Sequence, residues 1–155
     1  MKRVMVGTLL AAIAFGARPV AAQAHDEIAL TRQEIQSRRQ EIVAANLQLS
    51  DSAGKLFWPQ YREYRNDMAK SGDRLQKLIL DYAANYNTLT NEQAKAMTDE
   101  LFAIQSEQLK VRRDWANKLQ KILPAKTVTR FVQIENRLDT IVNAGLMQEI
   151  PLVKP

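Results

Sequence analysis

Between residues 50 and 87 apolar side chains return every three or four positions: Phe57, Tyr61, Tyr64, Met68, Leu75, Leu78 and Tyr82, with Ser71 in the slot between Met68 and Leu75 and Asn85 carrying the register on. Such a seam places one stripe of a long helix against a neighbouring helix. Ser50 is a good cap for its start. Pro59 falls early in it, where a kink or a tightened first portion is expected. Ser71-Gly72-Asp73 offers a second break, but Met68 and Leu75 stay seven apart across it. One interior glycine costs only about 1 kcal/mol, so a single helix of about 37 residues, spanning roughly 55 Å, is expected.

Three other segments share this periodicity. Asn91 to about Leu123 carries Met97, Leu101, Ile104, Gln108, Val111, Trp115 and Leu119 on one seam. Pro124 closes it and stands where a first-turn proline starts the next helix. That helix, to about Met147, lines Thr127, Phe131, Ile134, Leu138 and Ile141 on one face, with Val128, Val132 and Val142 beside it, and Gly145 is its expected stop. Before all of these, Asp26 to Leu47 repeats Ile28, Ile35, Ile42 and Leu49 at seven-residue spacing, a narrow apolar stripe on a polar helix. The tail, Ile150-Pro151-Leu152-Val153-Lys154-Pro155, is apolar but broken by proline, hence extended.

The turn between the two long helices is short, so they form an antiparallel hairpin. It carries a capping box at Leu89-Thr90-Asn91-Glu92-Gln93: the Thr90 hydroxyl accepts from a first-turn N–H, and Gln93 reaches back to the N–H of Thr90. A degraded copy, Leu49-Ser50-Asp51-Ser52-Ala53, stands 40 residues upstream. The expected fold is all-α: four helices around a long central antiparallel hairpin. A 37-residue helix is too long for a compact bundle of this size, which favours an elongated layer with apolar surface left for a partner.

The N-terminus adds a compartment. Lys2 and Arg3 precede a 12-residue apolar run from Val4 to Phe15, and Ala22-Gln23-Ala24 supplies small residues for cleavage after Ala24. The run is well short of the roughly 20 residues that a membrane span needs. Residues 1–24 are therefore expected to be a signal peptide and 25–155 a single exported helical domain. Loss of Lys2, Arg3 and Arg18 takes the chain from +5 to a formal +2, a balance that argues against nucleic acid as a partner. The chain has no cysteine, so packing, and oligomerisation where it occurs, must supply stability. Five glycines and five prolines in 155 residues are few breakers, in keeping with helices rather than sheet.

Catalytic chemistry finds little purchase. His25 is the only histidine. At the mature N-terminus its imidazole and the free α-amine could chelate a metal together, with Asp26 and Glu27 nearby. A site built on that needs further ligands, and the chain has no second histidine and no cysteine. No glycine-rich phosphate loop occurs. Asp99 and Glu100 are neighbours on different helix faces, and no pair of carboxylates stands out. No enzyme activity, cofactor or metal is expected. The densest chemistry is Phe57-Trp58-Pro59-Gln60-Tyr61-Arg62-Glu63-Tyr64-Arg65. Phe57, Tyr61 and Tyr64 share one face; Trp58, Arg62 and Arg65 share the next. One reading is core aromatics beside a solvated arginine rim, with Trp58 and Arg62 stacked. The other is an amphipathic surface for a client or partner: Phe57, Trp58, Tyr61, Arg62 and Arg65, with Arg112, Arg113 and Trp115 supplying a similar patch on the third helix.

An export signal, long helices and Leu-Thr-x-x-Gln at a helix start together resemble the Spy/CpxP-type periplasmic LTxxQ-motif proteins. Leu89, Thr90 and Gln93 match that motif. In the first copy Leu49 and Ser50 fit, and Ala53 stands where Gln is expected. Phe57, Trp58, Pro59, Tyr61 and Tyr64 resemble the Phe-Trp-Pro-x-Tyr-x-x-Tyr signature of a subgroup, as do Arg130-Phe131 through Ile134-Glu135 and Ile150-Pro151-Leu152-Val153. The resemblance implies a helical fold with a central hairpin, often a cradle-shaped antiparallel homodimer, and ATP-independent chaperone activity or an accessory role in envelope stress sensing. The expected function is thus chaperone-like binding of exposed apolar segments of unfolded or partly folded envelope proteins. The alternatives are an adaptor that docks on a membrane sensor protein and a self-associating structural protein of the envelope.

Overall fold

The computed structural model describes residues 37–154. The expected signal peptide, His25, and the early stripe residues Ile28 and Ile35 lie outside the described residues. Within them the chain is all-α: α1 (37–47), α2 (Asp51–Asn85), α3 (Asn91–Leu119) and α4 (Ala125–Glu149). None of these helices is long and apolar enough to cross a membrane.

Each turn follows from its residues. Gln48 leaves α1 in the left-handed region, φ 51°, its N–H on the Ala44 carbonyl at 3.3 Å. That reversal aims Leu49 at the edge of the core and sets Ser50 as the cap of α2, its hydroxyl accepting from the N–H of Ala53. Ala53 cannot return the bond as a glutamine would; its methyl packs against the core instead. The capping box of α3 is complete. Gln93 N–H donates to Thr90 Oγ1 at 3.2 Å, and Thr90 N–H donates to Gln93 Oε1 at 3.0 Å.

α2 runs unbroken for 35 residues, about 52 Å, through both Pro59 and Ser71-Gly72-Asp73. Ser71 is wholly buried and loses no hydrogen bond, because its hydroxyl donates to the Met68 carbonyl one turn back. α3 returns antiparallel: Trp115 Nε1 donates to Asp67, and Arg74 further along α2 forks onto Glu100 and pairs with Glu107. α4 then follows the direction of α2, and α1 lies antiparallel to its first half, with Arg130 Nε donating to the Asn46 carbonyl.

The core gathers at one end of this assembly. Val43 and Leu47 of α1, Phe57 to Met68 of α2, Trp115 to Leu123 and Val128 to Leu138 form one buried cluster. Phe131 is its hub, meeting Phe57, Tyr61 and Tyr64 edge-on at 5.4–6.1 Å between ring centres.

Several expectations need correction. The buried stripe of α1 is Arg39, Val43 and Leu47, with Ile42 half-buried beside it, because α1 meets its neighbours at four-residue steps rather than along a seven-residue line. α3 ends at Leu119 and a tight turn delivers Leu123 into the core. Pro124 stands just ahead of α4, where its carbonyl accepts from Thr127 and Val128. Gly145 stops nothing: α4 continues to Glu149. Ile141 points outward and Val128 takes the core position.

Removal of the α3 cap with Thr90→Ala should lower stability by about 1 kcal/mol. That corresponds to roughly 4 °C in Tm for a domain of this size, read by thermal circular dichroism. Gly54→Ala should act the other way, by up to about 1 kcal/mol. A β-carbon there would meet the Trp58 ring at an ordinary 3.5 Å.

Candidate functional site

The seams of α2 and α3 do not end where the core ends. Beyond Met68 and Ser71, α2 still presents Leu75, Leu78 and Tyr82, and α3 presents Met97, Leu101 and Ile104 opposite them. Ile104 is buried; the others are half-buried. Among the described residues, none of α1 lines this end. The last turns of α4, with Leu146 and Met147, and the extended tail, with Ile150 and Val153, approach it. The result is an elongated apolar groove of about 380 Å³ between α2, α3 and the C-terminus, with Tyr82, Thr98, Gln105, Gln108 and Asn143 as its polar contributions. Met147 remains 75% exposed at its rim.

The closed end of the molecule is held by a knot of buried charge. Arg39 of α1 donates to Glu135 at 2.7 Å and to Asp139 at 2.8 Å on α4. Arg65 of α2 reaches Glu135 at 3.3 Å, and the Tyr61 hydroxyl donates to the other Glu135 oxygen at 3.1 Å. Arg112 of α3 closes the set on Asp139 at 2.7 Å. Every helix contributes. Burial works against the charge on Arg39, yet Glu135 and Asp139 outweigh it and hold its pKa above the usual arginine value. Burial, then the Glu135 carboxylate, push the Tyr61 hydroxyl well above the ordinary tyrosine range, and Tyr64 shifts the same way for the same reasons.

This geometry redistributes the candidate surface. Phe57, Tyr61 and Trp115 are core residues, each 5% exposed or less. Trp58 is half-buried and packs edge-on against Phe57 and Tyr61, while the arginine found over a ring is Arg65, above Tyr64. Arg65 and Arg112 are committed to the charge knot. Arg62 and Arg113 remain on the exposed surface. The capping residues Ser50, Thr90 and Gln93 hold their turns; Leu49 packs at the edge of the core, and Leu89 lines the groove. The proposed aromatic patch is therefore not one continuous exposed surface, and the groove, which it did not include, is an open apolar feature.

Sequence reasoning missed the knot because Arg39, Glu135 and Asp139 look like solvated charge. A signal was present. Glu135 follows Phe131 by four and sits between Ile134 and Leu138, inside an apolar stripe where a solvated carboxylate does not belong. Among the described residues no group of three or more His, Cys, Asp or Glu is placed to hold a metal ion. Comparison with protein-family models, curated proteins and solved structures finds no match to this chain.

Glu135→Gln should destabilise the fold by about 3 kcal/mol, since it leaves the buried Arg39 guanidinium with Asp139 as its one remaining counter-charge in the knot. Arg113→Ala should change stability by no more than about 0.5 kcal/mol. Both are read from urea unfolding midpoints. The raised tyrosines fix a pH dependence. A group whose pKa rises on folding contributes fully below its unfolded value and loses that contribution above it. Stability should therefore fall as pH rises beyond roughly 10, the unfolded tyrosine value. Absorbance at 295 nm should show Tyr61 and Tyr64 ionising together with unfolding, and Tyr61→Phe should remove part of that alkaline loss.

Proposed function

We propose that this protein is a non-enzymatic periplasmic protein that binds exposed apolar segments of unfolded or partly folded envelope proteins. The observation that carries the reading is the groove: helical seams built to be covered, continued for several turns past the point where the described helices bury them. A soluble domain that leaves such surface open has a use for it, because uncovered apolar area otherwise promotes aggregation. An export-type N-terminus supports a location outside the cytoplasm for the same surface, where ATP is not at hand. The LTxxQ resemblance, resting on Leu89, Thr90 and Gln93 and on the aromatic signature, agrees with this. A homodimer formed across the same apolar faces is part of the proposal.

The groove favours apolar capture over salt-sensitive charge recognition, since leucine, isoleucine and methionine dominate its walls. The purified chain from His25 to Pro155 should suppress aggregation of a thermally unfolding test protein at near-equal molar ratio without ATP. Leu101→Asp should reduce that suppression at least severalfold, while Arg62→Ala leaves it nearly unchanged. No suppression at tenfold excess would refute the reading. In-cell crosslinking from Arg113→Cys should give many products; one dominant product would favour the docking adaptor instead.

A further inference from the structure

One wall of the groove is a segment of this chain that is not helical. After Glu149 the chain leaves the helix, Ile150 adopting extended backbone, and the tail runs along the groove toward the hairpin turn. Ile150 is half-buried and lines the groove, Val153 lines it at its edge while staying 57% exposed, and Leu152 is 89% exposed. The backbone is held as a bound peptide would be: the Tyr82 hydroxyl donates to the Pro151 carbonyl at 2.9 Å. Its end is pinned by Lys154, whose ammonium donates to Asn87 Oδ1 at 2.7 Å and lies 5.1 Å from the centre of the Tyr86 ring.

We infer that the C-terminal tail is an internal pseudo-ligand. Residues 150–154 lie along the groove as an extended segment that lends it one wall, and the groove's external ligand is a segment of the same chemistry that displaces that wall: extended, branched-aliphatic and interrupted by proline, so that it offers a carbonyl to Tyr82 and cannot fold into a helix. This rests on the groove being the binding surface, and it adds the conformation of the ligand and a built-in competitor.

The attachments suit a competitor. Each is a single exposed hydrogen bond or a partly covered side chain, and such bonds contribute little net stability in water. The tail should therefore exchange on and off. A ligand that needs the open groove binds with its intrinsic affinity reduced by the fraction of molecules whose tail is away. A tail that is bound nine times in ten weakens the external ligand by about tenfold.

The hexapeptide Ile-Pro-Leu-Val-Lys-Pro is the probe, and the chain ending at Glu149 is compared with the full chain by calorimetry and fluorescence anisotropy. The shortened chain should bind the peptide about tenfold more tightly than the full chain. Val153→Asp, which keeps the full length, should open the groove in the same direction should the shortened chain fold poorly. Tyr82→Phe in the shortened chain should weaken the peptide severalfold. The chain has no cysteine, so a fluorophore on Leu152→Cys reports the tail alone. Saturating peptide should shift its emission toward that of a solvent-exposed dye. Equal peptide affinity for full and shortened chains, or no binding to the shortened chain, overturns the inference. Aggregation suppression by the full chain that persists alongside such a result leaves the functional reading standing. Loss of suppression itself removes that reading independently.

Discussion

The fold depends on Glu135. A carboxylate 1% exposed would be intolerable alone, and its acceptance of Arg39, Arg65 and the Tyr61 hydroxyl ties α4 to α1 and α2 at one point. Asp139, one turn on, adds α3 through Arg112. Two carboxylates four residues apart on a helix repel one another. Here that repulsion is answered by three arginines from three other helices, so the pair acts as a docking code. Apolar packing is tolerant of small slips along a helix; a fork of charge-assisted bonds with fixed geometry is not. The knot accordingly specifies the register in which four amphipathic helices meet, while Phe131 and the rings around it provide most of the buried area.

Register at one end leaves the other end open. The described part of α1 lies antiparallel to the first half of α4, and the four helices pack together there. Beyond it α2 and α3 continue side by side with the last turns of α4 against them, joined laterally by the Arg74 fork on Glu100 and by its pairing with Glu107. Those exposed pairs contribute little stability, but they lie outside the apolar face and keep the two seams facing the same way. Packing and charge thus divide the labour. The buried knot fixes where the helices are, and the exposed pairs link α2 to α3 along their outer edge.

Much of this was legible from residue spacing. The hairpin, its capping box and the continuity of α2 through Gly72 follow from an unbroken seam, because phase in a heptad pattern reports on the backbone directly. What spacing could not supply was the partner of each stripe. Phe57 and Trp115 carry the same pattern whether they face a helix or a client, and only the packing buries them. Arg39 and Glu135 were opaque for a different reason: a long-range pair separated by 96 residues leaves no local trace, except as a charge placed within an apolar stripe. Gly145 misled because glycine ends a helix only where a left-handed residue is needed, and α4 turns into extended backbone at Ile150 without one.

The tail completes this logic. A groove made by running two seams past their cover is an aggregation hazard whenever no client is present. A permanent lid would remove the hazard and the function together. A short segment with two proline positions, holding on through Tyr82 and Lys154, lends the groove one wall at low affinity and can yield to a better ligand. Proline is what makes it suitable: it keeps the segment from extending α4, which would carry Ile150 and Val153 out of reach along a helical path. The same residue that ends the helix therefore shapes the segment as a peptide mimic, and groove and tail are parts of one device.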